Sequence, residues 1–167
     1  MATVNLGPKP TVEMIDTGIS DRETRKIADA LADALADTFT LYLKTQGVHW
    51  NIVGPNFYGI HKLTQQQYED MDLAIDELAE RIRALGHLAP AAFGDFGSRS
   101  VVESKTTLTD ARSMVETLIA DNEAVAKRLR DAVKIADDAD DVFTADMLTA
   151  RIGKHEQNSW MLRASAA

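Results

Sequence analysis

Two histidines and two carboxylates, His49, His61, Asp76 and Glu80, with Trp50 beside the first, are the residues in this chain best suited to chemistry. Imidazole and carboxylate together make a ligand set that fits iron, manganese or zinc. Their spacing excludes the simplest arrangement. His61 and Asp76 fall in one long helical stretch, so at ~1.5 Å rise per residue their Cα atoms lie roughly 22 Å apart, and no single ion spans that distance. At ~100° per residue, however, Gln65 lies close to the angular position of Asp76, and His61 and Glu80 fall near the same stripe. An identical helix running antiparallel across a two-fold axis near residue 70 would set residues 61 and 65 of one chain against 76 and 80 of the other. The pattern therefore predicts a metal site shared between two copies.

Helical periodicity supplies the elements that must position these groups. Ser20 followed three residues later by Glu23 reads as a capping box, and Ile27, Leu31, Leu35, Phe39, Tyr42 and Leu43 recur at helical spacing. A first helix is predicted from about Asp21 to about Val48. Gly54-Pro55 marks a turn, after which Ile60, Leu63, Tyr68, Met71, Ile75, Leu78 and Ile82 predict a second helix from about Phe57 to Leu85, with Gly86 as its stop. Residues 86–105 form a long connection containing Pro90, Gly94 and Gly97, in which Val101 and Val102 are expected to anchor a short helix. A connection of this length is expected to cross the bundle or pack against another subunit. A third helix is predicted from about Leu108 to Ala136, then an acidic loop holding Asp137, Asp138, Asp140 and Asp141, then a fourth from about Thr144 to Arg163. Four helices with two short connections and one long crossover predict an all-α, antiparallel bundle of ferritin-like type. Residues 1–19, with Gly7, Pro8, Pro10 and Gly18, read as an extended arm, and residues 20–167 as one bundle domain.

Composition narrows the chemistry. At 167 residues and 45% hydrophobic content, the chain fits one soluble domain with a real core. No apolar run approaches the ~20 residues of a membrane span, and no basic region followed by an apolar core opens the chain, so a cytoplasmic protein is expected. The absence of cysteine removes disulfides, thiol catalysis and thiolate metal sites together. The net charge of −8 argues against a general attraction to nucleic acid. Neither end carries a basic tail: Lys9 stands against Glu13 and Asp16 near the start, and Arg163 is alone near the end.

Bundles that hold two irons within one chain commonly use Glu-x-x-His pairs on two helices. Here the residues three before each histidine are Gln46, Tyr58, Ala84 and Ile152, so that arrangement is excluded. Instead, His49-Trp50-Asn51, Gly54, Asn56-Phe57, His61, Asp76 and Glu80-Arg81 together resemble Dps, the starvation-induced mini-ferritin family. The resemblance runs over roughly residues 20–163 and includes the acidic loop, Thr144-Ala145-Asp146 and Trp160. It implies a hollow dodecamer that oxidises Fe²⁺ between two-fold-related subunits, typically with hydrogen peroxide, and stores ferric mineral inside. Carried over residue by residue, His49 and His61 would come from one subunit and Asp76 and Glu80 from its partner, with Trp50 behind the ligands. Asp141 and Asp146 would line an iron-entry pore at a three-fold axis. One position departs from the pattern: Gln65 stands where the family usually places an acid. An amide oxygen can coordinate a cation but brings no charge, so one of the two iron positions is expected to be weakened.

The remaining features have simpler readings. Asp29, Asp33 and Asp37 recur every four residues, as on a solvated helix face. Trp50 and Trp160 are residue types more often found in a core. His87 and His155 are given no role. Two other functions remain in competition with iron oxidation and storage: a nucleoid protein that compacts DNA, disfavoured by the missing basic tails, and a structural cage whose oxidation site is impaired at Gln65.

Overall fold

The computed structural model describes residues 10–12, 15–104 and 110–166, and every regular element among them is a helix. The elements are α1 (Asp21–Asn51), α2 (Phe57–Ala84), α3 (Phe93–Arg99), α4 (Ala111–Asp137) and α5 (Val142–Ala166). Most of the arm expected over residues 1–19 lies outside the described residues, as does Leu108. No described helix is long and apolar enough to cross a membrane.

Local chemistry accounts for the helix ends. Ser20 precedes α1, but its hydroxyl donates to the Glu23 carboxylate at 2.7 Å and does not cap a backbone N–H, so of the expected capping box only the Glu23 half forms, its carboxylate also accepting from the Ser20 backbone N–H. At the end of α2, Gly86 has φ of 88°, and the His87 N–H reaches Ile82 O at 3.1 Å while the Gly86 N–H reaches Arg83 O at 2.9 Å. This pair of bonds needs a left-handed residue, which glycine adopts without a Cβ penalty. The α4 end repeats the arrangement with Asp140 at φ of 57° in the glycine's place, Asp141 N–H bonding to Ala136 O at 2.9 Å. Asp110 caps α4 by accepting from the Ser113 N–H at 2.9 Å.

Helices α1 and α2 pack along one another, as do α4 and α5, and contacts of α1 with α4 and of α2 with α5 join the two pairs into a four-helix bundle. Leu31, Leu35 and Leu41 of α1, Met71, Leu78 and Ile82 of α2, Leu118 and Leu129 of α4, and Leu148 and Leu162 of α5 fill the core. The fold is that of ferritin-like bundles.

The crossover differs from expectation in its details. Its short helix is α3, and Val101 and Val102 come after it; within α3 Phe96 buries, its ring 4.7 Å from that of Phe39 on α1, and beyond the helix Val102 is buried in the same core while Val101 is exposed. The aspartates of α1 do not form a solvated face. Arg99 binds Asp29 at 2.9 Å and Asp33 at 2.8 Å, Arg128 of α4 binds Asp33 at 2.5 Å, and the Val101 N–H donates to Asp37 at 2.7 Å. Asp37 is fully buried. Three turns of α1 thus hold the crossover and α4 together.

Candidate metal centre

His49 sits in the last turn of α1 and His61 in the second turn of α2, on either side of the Ile52–Asn56 turn. The two imidazoles stack with centroids 3.8 Å apart and planes inclined by 18°. Each ring is locked by the other residue's backbone: His49 Nδ1 lies 2.8 Å from His61 O, and His61 Nδ1 lies 2.9 Å from His49 O. A carbonyl oxygen only accepts, so both Nδ1 atoms carry the proton and both Nε2 atoms present a lone pair. Among the described residues neither Nε2 has a hydrogen-bond partner. Metal-binding histidines are oriented in this way, the second nitrogen held by a carbonyl. Phe57 flanks His61 at 5.1 Å and Tyr68 meets His49 edge-on at 5.2 Å, so the pair is walled by rings.

Asp76 and Glu80 are exposed, farther along α2. Among the described residues, no three His, Asp or Glu side chains of one chain converge on a point. The structure brings the two histidines together and leaves the two carboxylates facing outward. Gln65, one turn after His61, accepts from Lys62 Nζ at 3.0 Å through Oε1 and donates to Glu69 at 2.8 Å through Nε2. Trp50 is 64% exposed beside the pair, and Trp160 is equally exposed on α5, so neither lies in the core.

Residues 28–166 match the family of the ferritin-like domain. The chain is 35% identical over 152 residues to a low temperature-induced protein of Nostoc, covering 90% of this chain and 85% of that one. It is 35% identical over 147 residues to DNA protection during starvation protein 1 of Deinococcus radiodurans, covering 87% of this chain and 71% of that protein. Its fold superposes on the Dps protein of Vibrio cholerae, described as a ferritin-like diiron-carboxylate protein, with a TM-score of 0.84 at 30% identity, covering 95% and 98% of the two chains. The chain belongs to the Dps family.

Within this Dps chain the two aspartates expected at a pore differ in character. Asp141 is buried, accepts from Arg81 at 2.8 Å through both oxygens, and caps α5 through the Thr144 N–H at 3.0 Å and the Thr144 hydroxyl at 2.5 Å. Burial alone would raise its pKa, but the bonds from Thr144 and Arg81 outweigh it and hold the carboxyl below its ordinary value. Asp146 is exposed at the second turn of α5, beside Glu77 and Glu80 in a groove of about 560 Å³. Lys62 and Glu69 escaped notice in the sequence, and Tyr68 was read only as an apolar position of the second helix, although Lys62 to Gln65 and Gln65 to Glu69 stand at the i, i+3 and i, i+4 spacings that bring helical side chains into contact.

Proposed function

We propose that this Dps-family chain oxidises and stores iron as a homo-oligomer, a dodecamer by analogy with its family. Iron is its substrate and cargo. His49 and His61 of one subunit and the partner subunit's Asp76 and Glu80 bind Fe²⁺ at each two-fold interface. Two ferrous ions give one electron each to one hydrogen peroxide, which takes up two protons and leaves as two waters, so the oxidant is consumed without leaving a radical, which is how such a protein protects DNA. The ferric product moves inward and hydrolyses to mineral. Asp146 and its acidic surroundings draw cations toward the cage.

The observation that carries this reading is the imidazole pair. Both rings spend their N–H on backbone carbonyls and leave their Nε2 lone pairs unused, the preparation a metal needs and a merely structural histidine does not. The face around it supports a subunit contact. Leu43, Val53, Tyr58 and Leu73 are 49%, 70%, 71% and 69% exposed, and Tyr58, Leu73, Asp76 and Glu80 follow one another along one side of α2. A run of large apolar side chains beside exposed metal ligands fits a surface that a second copy covers.

Anaerobic loading with Fe²⁺, followed by peroxide and ultraviolet detection of ferric product, tests the reading. Fast oxidation is expected, slowed at least about tenfold by Glu80→Ala or His49→Ala, since even outer partners of metal ligands are worth that much. An unchanged rate in both variants would reject the interface site in favour of a structural cage, a reading that the Lys62 bond to Gln65 favours.

A further inference from the structure

Lys62 is the residue at this site that neither the ligand pattern nor the proposed chemistry uses. It follows His61 directly, and its ammonium lies 3.0 Å from the Gln65 amide oxygen. Glu69 holds the other end of the same amide at 2.8 Å. Ammonium groups only donate and carboxylates only accept, so the amide has one consistent orientation: oxygen toward Lys62, nitrogen toward Glu69. The one atom of Gln65 able to coordinate a metal is therefore already engaged by a cation.

We propose that the Lys62 ammonium occupies the second cation position of each interface site, so that one divalent ion, not two, is held there at equilibrium. This rests on the interface reading above. The register that sets 61 opposite the partner subunit's Glu80, and 65 opposite the partner subunit's Asp76, sets Lys62 opposite residue 79, one residue from that glutamate. Charge supports the same conclusion. A neutral amide in place of an acid at 65 removes one negative charge, and the Lys62 ammonium bonded to that amide places one positive charge beside it. A cation already in place repels a second ion a few ångströms away, and the low dielectric of a covered interface strengthens that repulsion. The imidazoles and the partner subunit's Glu80 remain free to hold the first ion. Oxidation still takes two ferrous ions per peroxide, so the second electron comes from a ferrous ion that is not resident. The initial rate is then expected to keep rising with Fe²⁺ after the resident positions are full.

Anaerobic calorimetric titration of the assembled protein with Fe²⁺ tests the assignment without depending on activity. The wild type is expected to bind one tight ion per chain, abolished by Glu80→Ala. Gln65→Asp alone is expected to stay at one, because Lys62 pairs with the new carboxylate. Lys62→Glu combined with Gln65→Asp is expected to reach two. Both positions are on the surface of the subunit, and native mass confirms that each variant assembles. Two tight ions per chain in the wild type, or full recovery of the second by Gln65→Asp alone, would overturn the role of Lys62 while leaving the interface site standing. An isotherm that Glu80→Ala does not change would instead remove the interface site itself.

Discussion

Inside the bundle, His155 has a fixed tautomer. The Asn122 amide nitrogen donates to Leu118 O at 2.8 Å, which turns its oxygen toward His155 Nδ1 at 2.9 Å and requires the proton there. His155 Nε2 is buried with no partner among the described residues. Burial drives the pKa of His155 down to about 3, the Arg151 charge pushing it further down and Asp70 opposing. The unfolded chain takes up this proton near the ordinary value of 6.5, while the folded chain refuses it until about 3. Stability contributed by neutral His155 is therefore complete above pH 6.5 and falls as the pH drops through that window, by up to about 1.4 kcal/mol per pH unit. His155→Gln keeps a hydrogen-bonding group but cannot titrate. Urea unfolding between pH 6.5 and 4.5 is expected to show a shallower loss in this variant, and parallel curves would mean that another group carries the acid sensitivity. The same attention to tautomer distinguishes His49 and His61, whose free nitrogens face outward, from His155, whose free nitrogen faces the core.

Among the elements, the crossover depends most on single side chains. Asp37 accepts from the Val101 N–H and lies 3.5 Å from Arg128, which itself donates to Arg99 O at 2.6 Å. Burial raises the Asp37 pKa, with Val101 and Arg128 pulling the other way. Replacing Asp37 with Ala leaves the part-buried Val101 N–H without its acceptor and loosens Arg128, which keeps Asp33. A loss of about 2–3 kcal/mol is expected, read as a melting point lower by about 5–10 °C. Asp37→Asn retains the acceptor and should lose less than half as much; equal losses would show that charge, not the hydrogen bond, anchors the crossover. The sequence showed the aspartate spacing but not its use. Residues 29, 33 and 37 mark one side of α1 in any helix, and whether that side meets water or a returning segment depends on contacts with Arg99, Val101 and Arg128, more than sixty residues away. By contrast, α1 and α2 were readable to within a few residues, because their period and the Gly86 stop are local.

For the whole molecule, net charge is the property that bears on nucleic acid. The net −8 is accompanied by internal use of the cations: Arg81 on Asp141, Arg99 on Asp29 and Asp33, Arg151 on Asp70, Lys44 on Asp121, Arg130 on Glu156 and Arg163 on Glu123. A basic side chain already paired releases no counterion when it meets a phosphate. No retardation of plasmid DNA is expected in a gel at neutral pH and physiological salt, and a shift that fades with added salt would contradict this.

The sequence by itself determined the bundle, because helical periodicity, glycine stops and loop lengths are local signals. It also determined that the candidate metal ligands of α2 cannot serve one ion in one chain, since the helical rise separates them. The tertiary structure alone decided which nitrogen each histidine offers, that Asp141 is a bonded cap, and that Lys62 has taken the Gln65 oxygen. Each of these depends on where a donor meets an acceptor in space. Residue types and spacing restrict such meetings but do not choose among them.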